Sequence, residues 1–164
     1  MLQKNFIYIN NKTLSEVHYK KSCASLFFRI KTNMKTAFAT DNGKSYINRH
    51  FGDSDYYYIY EISDSETTFL KKISNTTEED DEEIHADPKK AKGVTKMLKN
   101  ENVKVVVSKI YGPNIKRIKK KFVCILMNNT KFSDCIKIIQ QKLDIIIDEW
   151  NKGEIRNHIN LKLK

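Results

Sequence analysis

Apolar and polar residues alternate in short segments from Met34 onward, and the first three segments have the composition of β-strands. They are Lys35–Thr40, Tyr56–Ile62 and Glu66–Ile73, which are rich in aromatic and β-branched residues. Asp64-Ser65 stands between the second and third segments, where a short turn would join them. The pattern therefore predicts one strand followed by an antiparallel hairpin.

After residue 87 the apolar spacing changes, and helices alternate with strands. Apolar positions three or four residues apart predict helices, whereas unbroken apolar runs predict buried strands. Asp87 and Ser133 precede helical segments and are the expected N-caps, because their side chains can accept hydrogen bonds from free backbone N–H groups. The predicted elements are, in order, Pro88–Asn100, Val103–Ser108, Asn114–Lys121, Phe122–Met127 and Ser133–Trp150.

The element order is β-β-β-α-β-α-β-α, which predicts an α/β fold with one mixed five-stranded sheet and helices packed on it. Strands joined by short turns are antiparallel, whereas strands joined through a helix are parallel with right-handed crossovers. The first strand is the most apolar of the opening three. We therefore expect it at the centre of the sheet, beside the fourth strand.

The two ends of the chain have weaker patterns than the middle. Residues 1–33 show no clear periodicity, and Met34 directly precedes the first strand. We expect this segment to be a disordered extension or to lie before the true start at Met34. Residues 34–153 are predicted to form the domain. The basic tail 154–164 is expected to fray, as untethered termini usually do, with an added edge strand as the alternative.

Length and cysteine content narrow the class of protein. The chain has 164 residues, and no apolar run approaches the roughly 18 residues that a membrane-spanning helix needs. Cys23, Cys124 and Cys135 are odd in number and widely spaced. This argues against a disulfide scaffold and against a paired-cysteine metal site. The expected location is the reducing cytoplasm.

The net charge of +10 is concentrated in the second half of the chain. Residues 88–164 contain nineteen basic and six acidic side chains, whereas residues 34–87 contain five basic and thirteen acidic ones. A basic half can contact nucleic acid or an acidic protein. Lysines on solvated helix faces explain it as well, and few aromatic residues are interleaved to stack on bases. A nucleic-acid or protein-binding module is therefore the alternative function.

Four short motifs, in this order, resemble a known family. Three are MKTAFATD at Met34–Asp41, NRHFG at Asn48–Gly52 and YYYIYE at Tyr56–Glu61; the fourth is the apolar strand Val103–Ser108 followed by Gly112-Pro113-Asn114. Together they resemble the dinitrogenase iron–molybdenum cofactor biosynthesis family, the group of NifX, NafY and the C-terminal domain of NifB. The resemblance extends from Met34 to Gly153, about three quarters of the chain.

The resemblance implies an RNase H-like fold and a role in nitrogen fixation. It also implies that the protein binds, carries or stores an iron–sulfur cluster or a precursor of the iron–molybdenum cofactor. The implied partners are the proteins that donate or accept the cluster, and neither a membrane partner nor an enzymatic activity is expected. Relatives also occur outside nitrogen-fixation gene sets, so the resemblance leaves the cargo open.

A cluster carrier needs exchangeable ligands of the thiolate or imidazole type. His50 is the candidate cluster ligand, because it lies in a polar loop between the first two strands. Arg49 beside it is the candidate counter-charge for an anionic cluster. We expect Phe51 to anchor the loop in the core and Gly52 to adopt a positive φ. The alternative is a histidine that only forms hydrogen bonds within its loop.

The Gly112-Pro113 turn is a second candidate part of the site. It follows a parallel strand at its C-terminal end, the edge at which open α/β sheets bind ligands. If the first and fourth strands are neighbours, the loop after the first strand faces this turn. The expected pocket contains Asp41, Asn42, His50, Ser108 and Gly112. A plain turn that starts a helix is the alternative.

Two further chemistries have weaker support. His85 follows an acidic run and, with nearby carboxylates, is a candidate ligand of a second metal site; a solvated loop is the alternative. A two-metal nuclease site would need several converging carboxylates. Asp41 and Glu61 are the candidates, and no third acid stands where it would be needed. The sequence therefore favours binding over catalysis.

Overall fold

The computed structural model describes residues 33–77, 88–128 and 131–162. In these ranges six strands and four α-helices form a mixed α/β fold. Two 3-10 turns, Phe51–Asp53 and Gly153–Ile155, complete it. The strands are β1 Met34–Thr40, β2 Tyr56–Ile62, β3 Thr67–Ser74, β4 Val105–Ser108, β5 Val123–Leu126 and β6 Ile159–Asn160. The helices are α1 Pro88–Asn100, α2 Ile115–Ile118, α3 Phe132–Gln141 and α4 Leu143–Asn151.

The strands form one sheet in the order β3-β2-β1-β4-β5-β6. β1 pairs antiparallel with β2 and parallel with β4, and it lies near the centre, as predicted. The β2–β3 hairpin is antiparallel, and the β4–β5 pair is parallel. The C-terminal ends of β1 and β4 therefore lie at the same edge of the sheet, because parallel strands run in the same direction.

Two hydrophobic layers cover the two faces of the sheet. On one face α1 and α2 pack through Val94, Leu98 and Ile118. On the other face α3 and α4 pack through an apolar stripe of five buried residues. Alternate strand residues supply the sheet side of each layer, as the pleat requires. The stripe consists of Phe132, Cys135, Ile139, Leu143 and Ile146.

The sheet has six strands rather than the predicted five, and the additional strand comes from the tail that was expected to fray. β6 pairs in parallel with β5 through Ile159 and Asn160. Arg156 anchors the segment before it: the guanidinium is buried and donates hydrogen bonds to the carbonyls of Trp150 and Lys120. A buried arginine that is hydrogen-bonded to two backbone carbonyls fixes the tail more firmly than the weak apolar alternation alone indicates.

The predicted long helix Ser133–Trp150 is two helices, α3 and α4. The backbone of Lys142 leaves the helical conformation (φ −113°, ψ 13°) and separates them. The buried stripe continues across the break with helical spacing, so periodicity does not indicate it. Ser133 was also wrongly predicted as N-cap: the helix begins one residue earlier, with Lys131 at the cap position.

Several sequence expectations fall outside the described residues. They are the predictions for residues 1–32 of the extension 1–33, for Asp87 as an N-cap and for His85 as a metal ligand. Trp150 is described, and more than half of it is buried against the α3–α4 layer. No helix in the described ranges is long and apolar enough to cross a bilayer.

Candidate functional site

Two loops meet at the edge of the sheet where β1 and β4 end. The first, residues 41–55, connects β1 to β2 and contains His50; we call it the histidine loop. The second, residues 109–114, connects β4 to α2 and contains Gly112; we call it the glycine turn. The N–H of Phe51 donates to the carbonyl of Ile110 at 2.8 Å, which joins the two backbones. The predicted meeting of these loops is confirmed.

The start of the histidine loop is fixed by its own polar side chains. The Oδ1 of Asn42 accepts hydrogen bonds from the N–H groups of Lys44 (2.8 Å) and Ser45 (3.0 Å). The Oγ1 of Thr40 accepts one from the N–H of Gly43 at 2.9 Å. Asn side chains commonly cap turns in this way. Asn42 therefore shapes the loop, and its carbonyl oxygen is engaged there.

Arg49 ties the two ends of the histidine loop together. Its guanidinium lies 3.0 Å from a carboxylate oxygen of Asp41 and 3.3 Å from one of Asp55. It also donates to the carbonyl of Asp53 at 2.8 Å. Asp41 in turn accepts the N–H of Asp55 at 3.0 Å. The guanidinium is half exposed, and the two carboxylates balance its charge while it organises the loop.

Aromatic packing anchors the loop in the core. Phe51 is completely buried, and its ring stacks on Tyr111 and packs against Tyr57. The hydroxyl of Tyr111 donates to the carbonyl of Val106, and that of Tyr57 donates to the carbonyl of Phe51 at 2.8 Å. Tyr111 belongs to the glycine turn. One aromatic stack thus fixes the position of each loop relative to the other, as the prediction for Phe51 required.

The imidazole of His50 lies directly against Gly112. A Cβ atom added to Gly112 would stand 2.9 Å from ring carbons of His50, closer than unstrained contacts allow. Gly112 also has φ +63°, a left-handed conformation that favours glycine. The side chain of His50 is 56% exposed. The ring therefore rests on bare backbone on one side and faces solvent elsewhere.

Asp53 and Lys90 complete the surroundings of the histidine. One carboxylate oxygen of Asp53 is 3.8 Å from Nδ1 of His50, and the other is 2.8 Å from Nζ of Lys90. The side chain of Lys90 is only 12% exposed. The carboxylate thus lies between a nearly buried cation from α1 and the imidazole.

The remaining predicted pocket residues shape the backbone. Ser108 is buried, and its hydroxyl donates to the carbonyl of Ile110 at 3.1 Å within the glycine turn. Lys109 reaches across to the side-chain oxygen of Asn48 in the histidine loop. Of the predicted pocket set, the structure brings His50 and Gly112 into contact and places Asp41 with Arg49. Asn42 and Ser108 instead form hydrogen bonds within their own loops.

One prediction about the histidine loop is wrong. Gly52 does not adopt a positive φ; among the described glycines, Gly43, Gly112 and Gly153 do. Burial raises the pKa of the Cys135 thiol, and it raises that of Cys124 to about 12.

The carboxylates considered for a nuclease site do not converge. Glu61 lies opposite Lys35 in the β1–β2 register, near the start of β1, whereas Asp41 follows the end of β1. At the rise of a strand these two positions are roughly 20 Å apart. Within the described ranges, no three His, Cys, Asp or Glu side chains come close enough to hold a metal ion. His50 is thus an isolated imidazole and not part of a chelating cluster of described side chains.

Three site residues were missed by sequence reasoning: Asp53, Lys90 and Tyr111. Asp53 carried a signal, since a carboxylate three residues after a histidine lies beside it when the chain turns helically. Lys90 carried none, because it comes from α1, 37 residues further along the chain. Tyr111 stands within a recognised turn, but its buried hydroxyl contacts depend on the three-dimensional packing.

The chain is similar to one protein family and to two solved structures. The family described as "Dinitrogenase iron-molybdenum cofactor" matches residues 32–142. Two solved structures, both of a protein provisionally described as a dinitrogenase, are similar to the chain. The crystal structure, from Methanocaldococcus jannaschii, is 27% identical, covers 67% of this chain and 90% of its own, and has a TM-score of 0.49.

The second is the NMR structure, from Methanococcus jannaschii. It is 26% identical over 68% of this chain and 90% of its own, also with a TM-score of 0.49. No curated protein matches the chain.

Proposed function

The chain belongs to the dinitrogenase iron–molybdenum cofactor family, and on that basis we propose that it binds and carries an iron–sulfur cluster or a precursor of that cofactor through His50. The cluster is a cargo that the protein receives from a donor protein and passes to an acceptor protein. The protein performs no chemistry on it. Exchange requires few ligands, because a full set of thiolates would retain the cluster.

The observation that carries the proposal is the placement of the His50 ring. The ring contacts Gly112, and a hydrogen bond joins the backbones of the two loops, so the movement of the ring is limited. More than half of the His50 side chain is nevertheless exposed. An imidazole is a borderline ligand that binds iron with its unprotonated nitrogen. A single exposed imidazole suits a ligand that must release its cargo.

Two cations lie close to the ring, where they would contact an anionic cargo. Arg49 is half exposed beside His50, and Lys109 reaches into the same loop contact. Asp41 and Asp55, both paired with Arg49, carry an equal negative charge, so the surroundings of the ring are close to neutral. The two described cysteines are buried and lie in the core layers. The donor set therefore favours attachment at one histidine.

The test is anaerobic reconstitution with iron and sulfide, followed by measurement of iron per chain and of visible absorption. We compare the full chain with the variants His50→Ala and His158→Ala. His158 is also exposed but lies on the C-terminal tail, so it is a matched control. The proposal predicts broad visible absorption in the full chain and in His158→Ala, with a loss of most of it in His50→Ala. Because His50 is exposed, its loss should change stability by only about 0.5 kcal/mol.

Equal cluster load in all three proteins would remove His50 as a ligand. Absence of colour and iron from the full chain, together with salt-sensitive retention on nucleic acid, would instead favour a nucleic-acid-binding module that uses the basic second half of the chain.

A further inference from the structure

We infer that Asp53, fixed by Lys90, is a positioning residue that keeps the Nε2 atom of His50 directed toward the cargo. This rests on the proposed function, because it assigns a partner to the histidine proposed there as ligand. Nothing in the family match assigns a role to either residue.

The local backbone places Asp53 beside the ring. The N–H of Asp53 donates to the carbonyl of His50 at 2.8 Å, which closes the 3-10 turn Phe51–Asp53. Residues three apart in such a turn lie on the same side. As a result, the Asp53 carboxylate stands 3.8 Å from Nδ1. The nitrogen nearest to the carboxylate is thus Nδ1, which leaves Nε2 as the nitrogen available for iron.

Lys90 determines which way the carboxylate faces. Its Nζ lies 2.8 Å from one oxygen of Asp53, and its side chain is nearly buried, so solvent screens this ion pair less than an exposed one. Lys90 lies on α1, whose apolar side is packed in the core. With one oxygen bound to the lysine, the other oxygen is directed to the ring. A rigid helix therefore supports the orientation of a loop side chain.

The distance of 3.8 Å exceeds that of a hydrogen bond, but a carboxylate this close already attracts a proton to Nδ1 rather than to Nε2, and a bound iron strengthens the contact. Iron at Nε2 withdraws electrons from the imidazole and makes the Nδ1 proton a stronger donor. Metal-bound histidines almost always donate their other ring N–H to an oxygen acceptor. Contacts of this kind are often long before the ligand is bound. Asp53 is thus the acceptor for His50.

The other carboxylates of the histidine loop have different partners. Asp41 and Asp55 both pair with Arg49, and Asp41 also accepts the N–H of Asp55. Asp53 differs from them because its side chain faces His50 and Lys90. Asp55 therefore provides a matched control for Asp53: a carboxylate in the same loop that is bound to a cation but is not directed at the ring.

The experiment determines which nitrogen of His50 carries the proton, by ¹⁵N NMR of the full chain without cargo. His50→Gln identifies the signals. The measurement is made at about pH 8.5, above the ordinary histidine pKa of roughly 6.5. We expect the Nδ1–H form to predominate in the unmodified chain and in Asp55→Asn. In Asp53→Asn the population should shift toward the Nε2–H form, and Lys90→Met should shift it in the same direction.

The same four proteins are then loaded with the cluster. Loss of an outer partner of this kind weakens metal binding by about 10- to 100-fold, so Asp53→Asn should bind the cluster more weakly than the unmodified chain. A predominant Nε2–H form in the unmodified chain, or an unchanged population in Asp53→Asn, would overturn the inference. If the unmodified chain binds no cluster, the proposed function fails, whereas the protonation result still decides the role of Asp53.

Discussion

Two regions of this protein each contain an arginine and a left-handed glycine, but these residues have different contacts in the two regions. The edge formed by the histidine loop and the glycine turn has Arg49 and a left-handed glycine, Gly112. The segment 149–161, here called the C-terminal clasp, has Arg156 and a left-handed glycine, Gly153. Both glycines have φ +63°. At the first, an added Cβ would strike the His50 ring; at the second, it would meet nothing within 4 Å.

The two arginines differ in the same way. Arg156 is buried, and its guanidinium bonds to backbone carbonyls and lies 4.2 Å from the centre of the Trp150 ring. Arg49 is half exposed and bonds mostly to side chains of its own loop. Buried contacts between distant segments stabilise a fold, whereas exposed contacts within one loop determine its shape. The clasp therefore holds the domain together, whereas the site edge leaves the side chain of His50 exposed to solvent.

The largest expected effect comes from removal of the clasp. Truncation after Gly153 deletes β6 and Arg156, and it leaves buried Glu149 without the N–H of Asn157. Each lost hydrogen bond to or from a charged group costs about 1.5–3 kcal/mol, and the truncation removes those of Arg156 and the one from Asn157 to Glu149. The melting temperature of the truncated chain, measured by circular dichroism, should fall by several degrees or more. An unchanged melting temperature would show that the tail frays, as the sequence alone suggests.

This difference between the regions also explains what the sequence could predict. The site edge follows from strand order: β1 and β4 are neighbours and parallel, so the loops after them had to meet. The apolar pattern identified both strands. The clasp depends on Arg156, Trp150 and Lys120, whose separation along the chain leaves no periodic signal. The break at Lys142 was missed for a related reason, since the buried stripe continues through it.

Inside the site, the sequence identified the candidate ligand His50 and missed the residues that surround it. His50 and Gly112 belong to short motifs and could be named in advance. Lys90 belongs to a different element, and its contact with Asp53 depends on how α1 packs on the sheet. The predicted role of Arg49 as a counter-charge to the cluster stays a prediction. The structure adds that the same guanidinium joins the ends of its loop.

A smaller effect is expected from the acid side of the clasp. Burial disfavours the charged Glu149 carboxylate, but hydrogen bonds from Lys152 and from the N–H of Asn157 outweigh it and lower its pKa. A carboxyl group whose pKa is lowered in the folded state stabilises the fold at pH values above its ordinary pKa of 4.5. This stability is lost as the pH falls through the pKa of the folded state.

Glu149→Gln tests this contribution. The variant should be less stable at neutral pH by about 1.5–3 kcal/mol, the typical value of hydrogen bonds to a charged group. Urea unfolding as a function of pH should show that the difference from the unmodified chain shrinks below pH 4.5. A constant difference across that range would mean that the carboxylate charge contributes nothing to the clasp.

The smallest effect on stability, and the most direct test of the account, comes from the two left-handed glycines. Gly112→Ala and Gly153→Ala each place a side chain at φ +63°, which costs about 1–2 kcal/mol in either region. Only Gly112→Ala also displaces the His50 ring. The deciding measurement is iron per chain after anaerobic reconstitution of both variants. We predict that Gly153→Ala retains the full load and Gly112→Ala loses most of it; equal loads would contradict the claim that His50, resting on Gly112, binds the cluster.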